Sequence, residues 1–279
     1  GVAKSKLVEQ AWHAHIADAI ENLSREEFYD SFANCCQYLS GYDSTLVVWL
    51  SREHKPLHLF DNIPDLYLNQ TQPPWINGAY LLDPYYQLFL SNAPSAVYRL
   101  EDVMPDNFFE TDYAKNYYHD TGLIDECGLL INLDNDHAIL VSLGLRSPEK
   151  LRGICTADMT AALPTLAALC RKQQSAANGE INFSAPLDKA FRNFGRDHLS
   201  NREREVIQLL LKGHSNKSIA QLLDISVDTV KVFNKRFHMK LGISSQAELF
   251  SLFLESISMI PFDADIDPLT HYLEITKPS

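Results

Sequence analysis

The chain has 279 residues, of which 46% are hydrophobic and 22% charged, enough apolar material for a core and more length than one small domain needs. Its formal net charge of −12 excludes a protein that coats nucleic acid over its whole surface. No signal peptide and no apolar run long enough to cross a bilayer is found, and Cys35, Cys36, Cys127, Cys155 and Cys170 show neither C-x-x-C spacing nor interleaved histidines, so a cytoplasmic protein without membrane partner, metal or cofactor is expected.

In chain order, an amphipathic helix is predicted from about Lys4 to Asn22, with Leu7, Val8, Ala11, Trp12, His15 and Ala19 along it. His13 and His15 are two apart, point to different faces and make no ligand pair. Ser24 and Glu27 have capping-box spacing, predicting a second helix to Leu39 that ends near Gly41. The runs Thr45 to Ser51 and Leu57 to Phe60 then read as paired strands across His54 to Pro56.

From Tyr67 to Tyr118 the chain is aromatic and broken by Pro73, Pro74, Pro84, Pro94 and Pro105, which predicts short helices and loops. Two strands follow, Gly128 to Leu133 and Ala138 to Leu145, joined by Asp134, Asn135 and Asp136; this acidic turn lacks the downstream Gly and Glu of a calcium loop. A long helix opens at Thr156 or Asp158 and runs to Lys172, tolerating Pro164 early on. Two helices, two strands, an irregular middle, two strands and a helix predict an α/β/α sandwich around an antiparallel sheet in residues 1–177, followed by a polar linker over 178–198.

Residues 199–256 carry a different pattern. Ser200 with Glu203 is a capping box, and Val206, Ile207 and Leu210 recur at helical spacing until Gly213. Ser215 caps a short helix with Ile219, Leu222 and Leu223 as its apolar stripe, Asp224 and Ile225 make a tight turn, and Ser226 caps a third helix ending at Gly242. Ser244 or Ser245 starts a fourth. On the third helix Val230, Phe233, Phe237 and Leu241 share one face, while Asp228, Lys231, Val232, Lys235 and His238 lie opposite. Between Leu199 and Glu255 eight basic residues stand against six acidic ones, a balance of +2, so the remainder of the chain carries −14. Two helices across so tight a turn, the second longer and basic, are the helix-turn-helix arrangement.

REREV at Arg202 to Val206, SNKSIA at Ser215 to Ala220 and ISVDTVKVFNKRFHMKLG at Ile225 to Gly242 resemble the LuxR-type (NarL/FixJ/GerE) helix-turn-helix of bacterial transcription regulators. Two positions depart from that pattern: Ser218 stands where Glu is usual and Phe233 where His is common. The resemblance implies an α+β protein ending in an all-α four-helix reader, with DNA contacts at Lys231, Val232 and Lys235. Lys217, Thr229, Arg236 and Lys240 complete the candidate set. It also implies a homodimer that reads double-stranded DNA at an inverted-repeat operator, uses the fourth helix, Gln246 to Glu255, as a contact surface, and meets RNA polymerase if it activates.

The first half is similar in layout to GAF/PAS folds and to the signal-binding halves of LuxR-type regulators. Pro73 to Tyr86, PPWINGAYLLDPYY, is similar to the Trp, Tyr and Asp-Pro pattern of acyl-homoserine-lactone receptors, although the spacing of Trp75, Tyr80 and Asp83 departs from it. Trp75, Tyr80, Asp83, Tyr85 and Tyr98 are therefore the candidate effector contacts, the effector being a lactone or, because carboxylates lie among the rings, a cationic amine. A constitutive DNA-binding or partner-scaffold protein, with an N-terminal half that only dimerises, is the alternative. A phosphorylated receiver domain is excluded because strands and helices do not alternate and Arg52, Glu53 and His54 follow the first strand. No nucleophile elbow or phosphate loop is present, and His119 with Asp120 reads as loop, so no enzyme is expected. Residues 257–279 form an extension that either folds back on the sensing half or stays unfolded; its Asp263, Asp265 and Asp267 beside a basic reader also permit autoinhibition.

Overall fold

The computed structural model describes residues 4–67, 75–176, 187–260 and 265–277. Its packing divides into two compact units: Gly1–Leu68, Leu88–Val103 and Gly122–Ser184 form the first, and Asn69–Gln87, Met104–Thr121 and Ala185–Ser279 the second.

The first unit is built on a five-stranded sheet of order β2-β1-β5-β4-β3, with β1 Ser44–Ser51, β2 Leu57–Asp61, β3 Ala96–Arg99, β4 Asp125–Asn132 and β5 His137–Leu145. Every pairing is antiparallel, and β1 runs along β5 from Ser44 opposite Gly144 to Ser51 opposite His137. Alternation along the strands puts Val47, Trp49, Cys127, Leu129, Ile131, Ile139, Val141 and Leu143 on one face. Against them pack helices α1 (Gln10–Glu21), α2 (Phe28–Ser40) and α3 (Ala157–Ala176) through Trp12, Phe32, Leu39, Met159 and Leu166. Val48, Leu50, Leu130 and Leu140 on the opposite face are buried too, which accounts for the unbroken apolar runs in these strands. In the β4–β5 turn the Asp134 carboxylate accepts the Asp136 amide at 2.8 Å and lies 2.9 Å from His137 Nδ1, the turn chemistry the sequence suggests.

Two local expectations fail here. Ser24 caps no helix: it sits at φ 65°, its amide donates to Gln173 Oε1 at 2.7 Å, and α2 starts after Glu27 without a side-chain cap. Strand β3 emerges from the proline-broken middle, pairing Ala96–Arg99 with Leu130–Cys127; four residues at a sheet edge are too few to show alternation.

The second unit joins two pieces of the aromatic middle to the C-terminal half. The helices of its C-terminal part are α4 (Asp188–Asn193), α5 (Asn201–Lys212), α6 (Asn216–Leu223), α7 (Val227–Leu241), α8 (Gln246–Ser258) and α9 (Pro268–Thr276), and short helical turns such as Ala79–Leu82 and Asp112–Ala114 lie in the aromatic pieces. Part of the stretch expected as a linker, 178–186, lies outside the described residues; the rest is folded, because Phe191 and Phe194 set their rings edge-on against Phe253 of α8 at 5.3 and 5.5 Å. The described part of the C-terminal extension, 265–277, is folded as well. Asp267 is 1% exposed and accepts the amides of Gly195 (2.8 Å), Asp197 (2.9 Å) and Leu269 (2.9 Å), so one carboxylate caps α9 and holds the chain leading into α5. Asp265 pairs with Arg196 at 3.0 Å and α9 lies along α8.

Candidate nucleic-acid interface

Local chemistry sets the four reader helices. Ser200 and Glu203 exchange both hydrogen bonds of a capping box, and Ser215, Ser226 and Ser245 each accept the amide three residues on. Gly213, Asp224 and Gly242 end the first three helices in the left-handed region. The core takes Val206, Ile207, Ile219, Ala220, Val230, Phe237, Leu249 and Phe253. Leu222, expected inside, is 58% exposed, because Ile219 and Ala220 already fill the contact of α6.

Helix α7 is seated by Val230 and Phe237, both fully buried, and turns Lys231, Val232, Lys235 and Arg236 to solvent. Val232 is 47% exposed, an apolar side chain outward among cations. Among the described residues the ion-pair partner of Lys231 is the exposed Asp228 at 3.7 Å, which binds it weakly. Lys217 on α6 is exposed, and Thr229 is half-buried with its hydroxyl 2.8 Å from Ser226 Oγ. Lys240 differs from the rest of the candidate set. Its ammonium holds both oxygens of Glu203 at 2.9 Å, tying α7 to α5. Burial pushes the Glu203 carboxyl up, but Lys240 and the Ser200 amide outweigh it and hold the group below the usual carboxylate range.

Three polar contacts are absent from the sequence reading, two of them between residues well apart in the chain and one within a single helical turn. Asn234 Nδ2 donates to Asn216 Oδ1 at 3.0 Å, fastening the start of α6 to the middle of α7. Ser218, in the position where Glu is usual, lies 2.8 Å from His214 Nδ1, a substitute polar tie. Asp106, from the aromatic middle, accepts the Ser215 amide at 3.1 Å and its hydroxyl at 2.6 Å.

Four of the five candidate effector residues come together in the same unit. Asp83 is 6% exposed; its Oδ2 accepts from Trp75 Nε1 (3.2 Å) and Tyr113 Oη (2.7 Å), and its Oδ1 from the amides of Tyr85 (2.8 Å) and Tyr86 (3.4 Å). Burial raises the Asp83 carboxyl and these four donors partly oppose it, with no cation among them. Tyr80 lies tilted on Trp75 at 5.8 Å and edge-on to Tyr86 at 4.8 Å; its hydroxyl accepts the Leu187 amide at 3.4 Å. Tyr86 donates to Asp188 at 2.6 Å. Tyr113, absent from the candidate set, is central to this network. Tyr98 belongs to the other unit, on β3, where its hydroxyl donates to the Pro94 carbonyl at 2.7 Å. Among the described residues no group of three or more His, Cys, Asp or Glu could hold a metal ion, and no helix is long and apolar enough to cross a membrane.

A capped scaffold helix, a tight left-handed turn and a basic helix seated on two buried side chains define a helix-turn-helix DNA-binding domain. The family model "Bacterial regulatory proteins, luxR family" (GerE) matches residues 197–253. A protein of Aeromonas salmonicida described as an HTH-type transcriptional regulator in the exeN 3′ region is 30% identical over 190 residues, covering 64% of this chain and 96% of that protein. The oxygen regulatory protein NreC of Staphylococcus aureus is 45% identical over 51 residues, 18% of this chain and 24% of its own length. The crystal structure of the LBD domain of VqsR from Pseudomonas aeruginosa shares the fold, with a TM-score of 0.50 and 24% identity over 61% of this chain and 99% of that one. The chain belongs to the LuxR family of bacterial regulatory proteins and is a DNA-binding transcription regulator.

Proposed function

We propose that this regulator grips double-stranded DNA with the outward face of α7, Lys231, Val232 and Lys235 meeting the major groove while Lys217, Thr229 and Arg236 contact the flanking backbone. The observation that carries the reading is the mounting of α7: Val230 and Phe237 are buried completely, so the opposite, exposed face is held at a fixed angle. Lys240 is left out because Glu203 holds it. The protein acts as a homodimer on an inverted repeat, through the part of α8 that α9 leaves open, and contacts RNA polymerase where it activates. Lys231→Ala and Lys235→Ala each weaken DNA binding roughly tenfold without lowering the melting temperature; unchanged binding in a mobility-shift assay refutes the assignment.

The first half, on this reading, senses a small molecule that controls DNA binding. The fold shared with the LBD domain of VqsR supports it. An effector amide or ammonium would compete with Trp75 and Tyr113 for Asp83, between the rings of Tyr80 and Tyr85, and the candidate classes remain an acyl-homoserine lactone and a cationic amine. The second reading, a half that only dimerises, is favoured by one observation: Asp83 already accepts four hydrogen bonds from its own chain. Thermal-shift screening with lactones and amines separates the two, since no shift with either class leaves the second.

A further inference from the structure

The segment Met104–Thr121 packs within the same unit as the reader. We propose that it is an autoinhibitory strap, in which the Asp106 carboxylate occupies the edge of the helix-turn-helix that DNA backbone must approach. The inference rests on the proposed DNA-binding face of α7.

Three contacts hold the strap. Asp106 takes the amide and hydroxyl of Ser215, the residue that caps α6, at 3.1 and 2.6 Å. The Asn107 amide donates to the Gly213 carbonyl at 2.9 Å. Gly213 sits at φ +102°, and a Cβ there would stand 2.8 Å from Phe108 Cα, so the two backbones touch at a place only glycine allows. Further along, Thr111 and Asp112 share a crevice with Leu210, Leu211, Gln246, Leu249 and Phe250. Docking therefore extends from the α5–α6 turn to α8.

The position of the first contact gives it consequence. Asn216, next to Ser215, is bonded at 3.0 Å to Asn234, which lies on α7 between Lys231 and Lys235. The start of α6 is thus beside the cationic face of α7. In helix-turn-helix complexes the first helix crosses the DNA backbone, and phosphate oxygens are drawn to the amide end of a helix. A carboxylate already bonded to that end repels the phosphate and fills its place. Because Asp106 itself is exposed, its hydrogen bonds are strong enough to bias the equilibrium and weak enough to release.

The test uses the full chain and a mixed-sequence DNA duplex long enough for two half-sites, read by fluorescence anisotropy at low salt. Asp106→Ala is expected to bind on the order of tenfold tighter than wild type, with the amides of residues 106–110 exchanging faster with solvent. Glu110→Gln, which neutralises one exposed charge on the same strap, is expected to change affinity less than about twofold. Affinity unchanged in Asp106→Ala, or an equal gain in Glu110→Gln, overturns the strap. Lys231→Ala is the companion arm: if it binds like wild type the DNA-binding face is wrong, whereas weakening there without a gain in Asp106→Ala removes the strap alone.

Discussion

Two buried carboxylates in the second unit have been made tolerable in opposite ways. Glu203, 2% exposed in the reader, is ionised and tied by Lys240 to a neighbouring helix. Asp83, 6% exposed in the aromatic centre, has only neutral donors, two rings and two amides. The first is a rigid strut that keeps α5 and α7 in register. The second is a network in which Trp75 Nε1 is shared, lying 3.1 Å from Tyr113 Oη as well as 3.2 Å from Asp83, so its polar groups depend on one another. One region is built to hold a surface still; the other is built from polar groups shared among neutral partners.

The largest expected effect comes from removing the support of the reader. Phe237→Ala opens a void under α7 and costs about 3–5 kcal/mol, seen as a lower denaturation midpoint together with loss of DNA binding. Lys240→Ala leaves Glu203 without its cation; because the lysine side chain is 46% exposed, the cost is discounted to about 2 kcal/mol in urea unfolding. Asp83→Asn sets an amide donor against Trp75 Nε1 and costs about 1 kcal/mol, and it also abolishes any thermal shift produced by an amine or lactone.

The smallest effect is the most discriminating, because the two carboxyls titrate in opposite directions. Glu203 is held below its ordinary 4.5, so its contribution is present above that value and is lost as pH falls through the lowered one. Asp83 is raised above its ordinary 3.8, so its protonated form suits the fold and its contribution declines as pH rises through the raised value. The difference in melting temperature between wild type and Glu203→Gln is therefore expected to close below about pH 4.5. The difference for Asp83→Asn is expected to widen over the same range.

The same contrast decides how much could be read in advance. Ser200, Ser215, Ser226 and Ser245 cap helices within three residues of themselves, and Gly213 and Gly242 stop them, so the reader was legible residue by residue. The antiparallel sheet was legible as well, through its apolar runs. Capping spacing alone misled at Ser24, where the chain turns through φ 65° before α2 begins. Helical periodicity shows which side of α7 is outward but not which outward side chain meets a neighbour, and so Lys240 entered the DNA-contacting set although Glu203 holds it. Tyr113 meets Asp83 across 30 positions and Asp106 meets Ser215 across 109, distances at which no local pattern carries a signal. The extension was the least legible: the sequence left it either folded back on the sensing half or unfolded, and the structure instead uses Asp267 as a buried cap that binds the chain leading into α5.

The most direct test of the central claim, that the exposed face of α7 reads DNA, is the affinity of Lys231→Ala and Lys235→Ala for a duplex DNA, set beside their melting temperatures. The account predicts binding weakened roughly tenfold in each with melting unchanged. Affinity equal to wild type in both variants would contradict it.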